Sequence, residues 1–489
     1  MNYSKIYQIS IQEENKVSSQ TEKKTVTTGQ GLLMLAVGIA VIIVGILVLK
    51  ANNAIVLALD GVVMCVMAVI FGTKYNDLQT GIKEVITSML VAILILFSVG
   101  VLVATWMASG TVPMIIYYGM KIISPSLFLP ITCLLCTFMS SCCGTSWGTL
   151  ATVGIACIGI AQGLGVPLGV AAGAICVGAF FGDKISPLSD SPVITSAVSD
   201  VRMIDGIKHT LFRTTGPAWI ISMVFFIIYG LQFGDGGTVG GEVYDAIMTT
   251  IEADFNLNIL MLVPVVLVIV LIVMQKPTIP TFMAGIFTAV TLAMVFNGNS
   301  LTEILSTMAD GYTRASGSDV VDEILHRGGF ASMDSTVRLL MAAAMFGAPL
   351  RVAGVMDILL DLVKKFAKTS RSMAFGVMIL HSVLFCITGA YYVTYPVVGG
   401  MVKDLYPGYG LSRKNLMRTL LDTGTGLAPM VPWSTTGAYT ATTLGVSNGA
   451  FTPFAPMLWL SIIFTAIISL TGIGLEKVPE GEEEPGADA

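Results

Sequence analysis

The sequence predicts an all-α polytopic membrane protein, built from two inverted repeats with broken (discontinuous) helices and re-entrant segments. Of the 489 residues, 54% are hydrophobic and only 12% are charged, and the mean hydropathy is +0.82. A soluble domain carries about 25% charged residues, so the composition excludes one. Because a membrane helix needs roughly 20 apolar residues, the apolar stretches predict about 11–14 membrane segments.

The strong membrane-helix candidates are 32–50, 54–72, 85–107, 126–143, 146–163, 214–232, 259–275, 279–296, 337–355, 372–392 and 454–475. Weaker segments, interrupted by Gly, Pro or Thr, are 112–123, 166–200, 391–402 and 415–447. The segment 112–123 is too short to span, and we expect a re-entrant hairpin there. The path of 391–447 stays open at this point.

Lysine and arginine predict the orientation, since cytoplasmic loops are enriched in them. The N-terminal tail and the 202–213 loop are basic, whereas the loops near 234–258 and 297–336 are acidic. The predicted organisation is a cytoplasmic tail 1–28, a first repeat 29–232, an acidic external loop 233–258, a second repeat 259–475 with a long external loop 297–336, and an acidic disordered tail 476–489. We expect a multi-pass protein of the plasma membrane with a cytoplasmic N-terminus.

The stretch 182–192 interrupts an apolar run with two acids, one lysine, three serines and two prolines. Proline breaks a helix, and carboxylates or hydroxyls at membrane depth are costly unless they bind something or line a wet cavity. Broken helices with oxygen ligands are how many secondary transporters hold a small cation. The predicted Na⁺ and H⁺ ligands here are Asp183, Ser186, Ser189 and Asp190. The alternative is an ordinary solvated turn at the cytoplasmic end.

Lys184 lies inside this polar stretch and has two possible roles. Its ammonium group could neutralise Asp183, or it could meet the carboxylate of an organic substrate.

Two further polar clusters lie at predicted membrane depth. The first surrounds Thr145, Ser146 and Thr149, whose hydroxyls offer neutral oxygen ligands; the alternative is helix packing through small residues. The other is in the second half and comprises Asp422, Thr423, Thr425, Trp433, Ser434, Thr435 and Thr436.

The two halves of the sequence echo each other weakly. Residues 182–188 resemble 424–430, and 138–148 resemble 385–396. Inverted repeats with interrupted helices in corresponding positions point to a binding site near the bilayer midplane.

Several classes of function find no support in the sequence. It has no P-loop or Rossmann fingerprint and no basic patch, so we expect no ATP-driven step, no cofactor and no nucleic-acid partner. An intramembrane enzyme needs a nucleophile–base pair or metal ligands, and no such array appears. We therefore expect a transporter and not an enzyme, with no metal other than Na⁺.

The motifs around these clusters resemble a known family. Gly144-Thr145-Ser146-Trp147-Gly148-Thr149, the run from Gly182 to Asp190, and Pro429-x-x-Pro432-Trp433 are similar to the NhaC-type sodium:proton antiporters. The resemblance covers roughly residues 30 to 475 and implies two inverted halves in the lipid bilayer and a homodimer. It also implies that the residues named above in the first half are ion ligands.

The resemblance and the polar clusters together lead to two hypotheses for the function. The first is exchange of Na⁺ for H⁺ by alternating access, with Asp183 and Asp190 as the exchanging carboxylates. The alternative is a sodium- or proton-coupled carrier of malate, lactate or an amino acid, as in some relatives of this family. A passive channel is a third possibility.

Overall fold

The chain is almost wholly helical in this computed structural model, which describes residues 26–49, 51–187, 189–232, 242–274, 276–316, 322 and 325–478. Within those residues, strand structure is limited to one isolated bridge between Leu411 and Lys477. The all-α prediction is confirmed. Most of the two predicted tails, and residues 233–241 of the predicted acidic loop, lie outside the described residues.

Helices of the first half are α1 (Thr28–Ile42), α2 (Asn53–Ile70), α3 (Tyr75–Ala108), α4 (Thr111–Ile122), α5 (Pro125–Cys143), α6 (Ser146–Thr149), α7 (Ile155–Gly163), α8 (Leu168–Ile185), α9 (Asp190–Ser199), α10 (Met203–Thr210) and α11 (Gly216–Leu231). Short π-helical stretches extend α1 and join α6 to α7 and α10 to α11.

Helices of the second half are α12 (Glu242–Asp254), α13 (Val263–Val273), α14 (Thr278–Phe296), α15 (Leu301–Asp310), α16 (Asp334–Val352), α17 (Val355–Phe366), α18 (Ser370–Thr388), α19 (Tyr391–Val402), α20 (Leu405–Gly408), α21 (Lys414–Thr423), α22 (Thr435–Leu444), α23 (Asn448–Phe451) and α24 (Pro456–Thr471).

Among the described residues, seven helices are long and apolar enough to cross a membrane, or up to ten if each bent pair is one span. The prediction of 11–14 membrane segments also includes arms of hairpins and halves of broken helices, which a count of full-length spans leaves out. The segment 112–123 forms the 12-residue helix α4, which packs on α7 where Gly119 meets Ile160. Its predicted re-entrant path stays a prediction.

The two sides of the molecule are defined by two loop regions. On the tail face lies the C-terminal segment 472–478, where Gly474 approaches Arg213 and Gly472 approaches Arg371. On the opposite side, the loop face, Arg327 of the long loop donates to the Leu444 carbonyl at 3.3 Å and to Gln162 Oε1 at 3.2 Å.

Two helical hairpins enter the bundle from opposite faces. Hairpin one (α5 to α7) begins and ends at the loop face, and its tip is Gly144. Hairpin two (α18 and α19) begins and ends at the tail face, and its tip is Gly389. Both tip glycines have left-handed backbone, with φ of 67° and 66°, which a residue without Cβ adopts at least cost. The two tips are therefore built alike but point in opposite directions.

Each hairpin is followed by a broken helix. The first pair, α8 and α9, runs from the loop face to the tail face and is interrupted at 186–189; the second, α21 and α22, runs the other way and is interrupted at 424–434. The same order of elements occurs twice, with opposite orientation. It consists of three spans, a short helix, a hairpin, a broken helix and a last span. The similar sequence segments 182–188 and 424–430 both lie at such breaks.

Close packing fixes hairpin one against the first broken helix. A Cβ atom added at Gly182 would lie 2.3 Å from the Ser141 nitrogen, and one at Gly178 would lie 2.5 Å from the Cys133 carbonyl oxygen. Glycine at these positions lets the backbones of α5 and α8 approach, as small residues do in membrane helix pairs. The tip of hairpin one is thereby held beside the break.

Candidate functional site

The carboxylate of Asp183 is the centre of the candidate site. It lies in the last turn of α8 and is buried, with 5% of its surface exposed. Ser146 Oγ donates to its Oδ2 at 2.6 Å, and Ser189 Oγ donates to its Oδ1 at 2.5 Å. The structure thus brings together three of the predicted ligands, one from hairpin one, one from the helix end and one from the break.

Local backbone structure explains why these hydroxyls converge. Thr145 is the N-cap of α6, where its Oγ1 accepts from the Gly148 nitrogen at 3.3 Å, and this places Ser146 at the first helical position. Ser189 is the N-cap of α9, where its Oγ accepts from the Ser191 nitrogen at 3.3 Å. An N-cap residue has extended backbone and leaves unpaired donors nearby, so each break presents polar groups at membrane depth.

Two other predicted ligands bond to the backbone instead of to Asp183. Ser186 Oγ donates to the Ser141 carbonyl at 2.8 Å, which ties the break to hairpin one. Thr149 Oγ1 donates to the Thr145 carbonyl at 2.9 Å, one turn back on its own helix. Both side chains keep an oxygen near the break.

Asp190 differs from Asp183 in exposure. It is the first residue of α9, and its side chain is exposed. The residue before it, Ser189, donates to Asp183. The structure therefore places one predicted carboxylate inside the site and the other at its exposed edge.

Lys184 is paired with a residue of the second half, and its two predicted roles stay predictions. Its ammonium group forms a salt bridge with Asp422, and both side chains are fully buried. Lys184 also donates to Ser461 Oγ at 3.1 Å, and Thr465 Oγ1 donates to Asp422 Oδ2 at 2.6 Å. The pair joins the two broken helices across 238 residues of sequence.

Ser461 and Thr465 were not among the site residues predicted from the sequence. Ser461 and Thr465 are four residues apart in an apolar helix, so they lie on one face of α24. Their spacing indicates a polar face on this helix. It does not show that the face contacts Lys184 and Asp422, which are distant in sequence.

The second break has a neutral polar cluster beside it. His381 Nδ1 lies 2.7 Å from Thr423 Oγ1, and its Nε2 lies 3.0 Å from Thr394 Oγ1. Tyr395 stacks on the imidazole and its hydroxyl lies 2.7 Å from Thr425 Oγ1. Two of the predicted second-repeat residues therefore contact an aromatic and imidazole cluster.

The remaining predicted residues of the second break support its backbone. Trp433 Nε1 donates to the Cys386 carbonyl at 2.7 Å, and Ser434 Oγ donates to the Ala428 carbonyl at 2.6 Å. The Thr435 nitrogen donates to the Gly389 carbonyl at 2.9 Å, which joins the break to the tip of hairpin two. Thr436 Oγ1 is buried and has no hydrogen-bond partner among the described residues.

The chemistry open to the first site follows from its atoms. A buried carboxylate flanked by hydroxyls supplies the oxygen ligands that a hard cation prefers. The same carboxylate can bind a proton, but it cannot bind a cation and a proton tightly at the same time. A group that binds either ion exchanges one for the other by competition.

Comparison with known proteins decides the family. Sequence patterns of the Na⁺/H⁺ antiporter family match residues 3–197 and 178–473. The chain belongs to this family. The predicted resemblance is confirmed.

Three curated relatives are similar over most of their length. An uncharacterized Na⁺/H⁺ antiporter of Haemophilus influenzae is 35% identical over 83% of this chain and 88% of its own. The malate-2H⁺/Na⁺-lactate antiporter of Bacillus subtilis is 35% identical over 84% and 86%, respectively. The Na⁺/H⁺ antiporter NhaC of Alkalihalophilus pseudofirmus is 35% identical over 85% and 90%.

Proposed function

We propose that the protein is a secondary active transporter that exchanges Na⁺ for H⁺ by alternating access, with Asp183 as the exchanging carboxylate. The observation that carries this proposal is the pair of hydroxyls on the buried Asp183, while the adjacent Lys184 is bound to Asp422. Because Lys184 is occupied elsewhere, a cation or a proton is left to balance Asp183.

Asp190 has the position of an entry ligand. Its exposed carboxylate lies on α9, which continues towards the tail face. A negative charge at the edge of a cleft raises the local concentration of cations. In this proposal Asp190 attracts the cation and passes it to Asp183, and Asp183 exchanges the cation for a proton.

The tail face is the cytoplasmic side in this proposal. The N-terminal end of α1 lies there, since Gly31 packs against Ile358 of α17. Basic side chains lie beside the C-terminal segment on the same face: Gly474 approaches Arg213, Gly472 approaches Arg371, and Lys414 donates to Glu476. The positive-inside rule therefore supports a cytoplasmic N-terminus, and the plasma membrane stays a prediction. The homodimer stays a prediction.

A second candidate function is coupled transport of an organic anion or amino acid. It is favoured by the malate/lactate relative, which is as similar as the Na⁺/H⁺ antiporters. The His381 cluster and the unpartnered Thr436 hydroxyl supply hydrogen-bonding groups for such a solute. The solute would then meet the second break, and the ion would meet the first.

Proteoliposomes with a fluorescent pH reporter distinguish the two. We expect proton movement when Na⁺ alone is added, no further effect of malate, lactate or amino acids, and no Na⁺-dependent movement with Asp183→Asn. Asp190→Asn should retain exchange with a higher apparent KM for Na⁺. Proton movement only in the presence of an organic solute would establish the second candidate. Full exchange by Asp183→Asn would remove Asp183 from the mechanism.

A further inference from the structure

Asp60 is a buried acid that the exchange at Asp183 does not use. It lies in α2 with none of its surface exposed, and neither carboxyl oxygen has a hydrogen-bond partner within the part of the chain that the structure describes. Two other aspartates are buried among those residues, and both are partnered: Asp183 accepts from two serines, and Asp422 is paired with Lys184. An ionisable residue inside a membrane segment is costly and commonly marks an ion or proton pathway.

The carboxyl group of Asp60 lies where three helices meet. A Cβ atom added at Gly38 of α1 would lie 3.5 Å from Asp60 Oδ2 and 3.1 Å from the ring of Phe346 on α16. The next residue of α2, Gly61, packs so closely on α16 that a Cβ there would lie 2.7 Å from the carbonyl carbon of Met345. This close packing of α1, α2 and α16 fixes the position of the acid.

The charged residues of the elements packed on α2 lie away from Asp60. Neither α1 nor its π-helical extension has a charged residue, and Asp60 is the one charged residue of α2. On α16, Asp334 and Arg338 lie near the first turn and Arg351 lies in the last, where it is paired with Glu84 of α3. These helices therefore place no cation beside the carboxyl group.

A proton is the ligand that fits these surroundings. An ionised carboxylate without a partner is strongly disfavoured in a buried apolar site, so the group is neutralised instead. A hard cation takes several oxygen ligands, whereas the side chains beside Asp60 include Met64 and Phe346, and the third neighbour is Gly38. Asp60 therefore holds a proton in this conformation.

The loop face is close to Asp60. The helix α2 begins at Asn53 on that face, and Asp60 lies about 10 Å below this start at the helical rise per residue. The outer end of α1 covers the intervening turn, where a Cβ at Gly45 would lie 2.6 Å from Val56. That end is π-helical over Ile43–Val48, and π-helical turns are rare and frequent at functional sites. Return of this stretch to α-helical hydrogen bonding would uncover Val56 and let water approach Asp60 from the loop face.

The helix α16 connects Asp60 to hairpin two. Phe346 lies beside Asp60, and a Cβ at the next residue, Gly347, would lie 2.9 Å from the Ile387 carbonyl oxygen. Ile387 is two residues before the hairpin tip at Gly389. A movement of hairpin two during alternating access therefore displaces α16 and changes the access of water to the acid.

We propose that Asp60 is a second proton-binding site of the transporter, which carries one proton per cycle in addition to the proton exchanged at Asp183. The proposal rests on the proposed Na⁺/H⁺ exchange. The carboxylate of Asp60 takes up a proton from water at the loop face when the outer ends of α1 and α2 separate. It holds this proton as a neutral acid while buried, and it returns the proton to water at the tail face later in the cycle.

The number of protons carried per Na⁺ tests the proposal directly. Proteoliposomes are held at zero membrane potential with K⁺ and valinomycin, a pH difference is imposed, and the Na⁺ gradient that stops net proton movement is measured. Each proton carried per Na⁺ multiplies the balancing Na⁺ ratio by roughly ten for each unit of pH difference. Asp60→Asn is neutral without a proton, so at a difference of about one pH unit it should balance at an Na⁺ ratio about tenfold smaller than the wild type.

Asp77→Asn is the matched control, because it makes the same change at an exposed acid in the first turn of α3. It should balance at the wild-type ratio. An equal ratio in the wild type and Asp60→Asn would overturn the proposal. A wild type that moves no protons when Na⁺ is added would instead overturn the proposed function, and the bound proton would then be decided by a measurement that needs no transport.

Infrared difference spectroscopy is that measurement. The spectrum of the wild type minus that of Asp60→Asn, at near-neutral pH, should contain the C=O stretch of a protonated carboxylic acid. The corresponding difference for Asp77→Asn should contain carboxylate bands. If Asp60→Asn does not fold, Asp60→Ser takes its place in both measurements, since its hydroxyl is smaller than the carboxyl group and carries no transferable proton near neutral pH. Absence of the acid band at Asp60 would overturn the proposal.

Discussion

The two broken helices share one architecture but differ in charge. Each is interrupted beside a hairpin tip, and each has an aspartate at the end of its first half. Asp183 accepts hydrogen bonds from two serine hydroxyls, whereas Asp422 is bound to a buried lysine and a threonine. An inverted repeat therefore supplies two equivalent positions. Asp422 is paired with a lysine of the chain, and Asp183 is the position that we propose for a mobile cation.

This difference is tested most strongly by removal of the permanent cation. Lys184→Met leaves Asp422 buried without its counter-ion, and loss of one partner of a buried pair costs about 3–5 kcal/mol. We expect a large fall in thermal stability of the detergent-solubilised protein. The double variant Lys184→Met/Asp422→Leu should recover most of it, because the unpaired charge is gone. Lys208→Met, an exposed lysine, is the control.

If Lys184→Met unfolds at the wild-type temperature, Asp422 does not depend on Lys184, and the contrast between the two breaks is lost.

The hydroxyls on Asp183 give the next largest effect. Hydrogen bonds to a charged group contribute about 1.5–3 kcal/mol. Ser146→Ala and Ser189→Ala should each raise the apparent KM for Na⁺ about tenfold or more, measured as Na⁺-dependent proton flux. Ser434→Ala is the matched change at the second break. Its hydroxyl bonds only to backbone groups, and no charged group is involved, so we expect a clearly smaller change in the KM for Na⁺ there.

Equal effects at Ser146, Ser189 and Ser434 would mean that both breaks contribute to Na⁺ binding, contrary to the division of roles drawn here.

The smallest expected effect is on thermal stability and concerns the left-handed glycine that both hairpin tips share. Gly144→Ala and Gly389→Ala each force a Cβ onto left-handed backbone, at a cost of about 1–2 kcal/mol. At Gly389 the added Cβ would also lie 3.0 Å from the Trp433 carbonyl oxygen, which adds to the loss there. Thermal unfolding is again the measurement. Gly400→Ala, inside α19 with open space around it, should be neutral or stabilising.

A loss at only one of the two tips would show that the hairpins are not equivalent in their backbone requirements.

The sequence was sufficient to locate the breaks but not the hairpins. The prolines and acids in 182–192 are incompatible with a continuous membrane helix, and the structure interrupts the helix there. The stretches 126–143 and 146–163 each have enough apolar residues for a full span, and apolar length alone does not distinguish a span from the arm of a hairpin. Their shared tip at Gly144 depends on packing against α8.

Side-chain contacts between the two repeats could not be predicted from the sequence either. Ser189 is six residues from Asp183, and their pairing follows from one local break. Lys184 and Asp422 are 238 residues apart, and Arg418 meets His209 across 209. Such contacts depend on how complete helices pack. Residue types and local spacing therefore indicate which polar residues are candidates for a site, but not which of them contact each other.

The glycine contacts between α5 and α8 have a mechanical consequence. Gly178 and Gly182 leave no clearance between the two backbones, and Ser140 Oγ donates to the Ala179 carbonyl at 2.5 Å. Two helices in such contact cannot slide past each other without large side-chain and backbone displacement. Hairpin one and the Asp183 end of α8 therefore move as one rigid body. Any conformational change that opens a path to Asp183 must occur at the interfaces between this rigid body and the other helices.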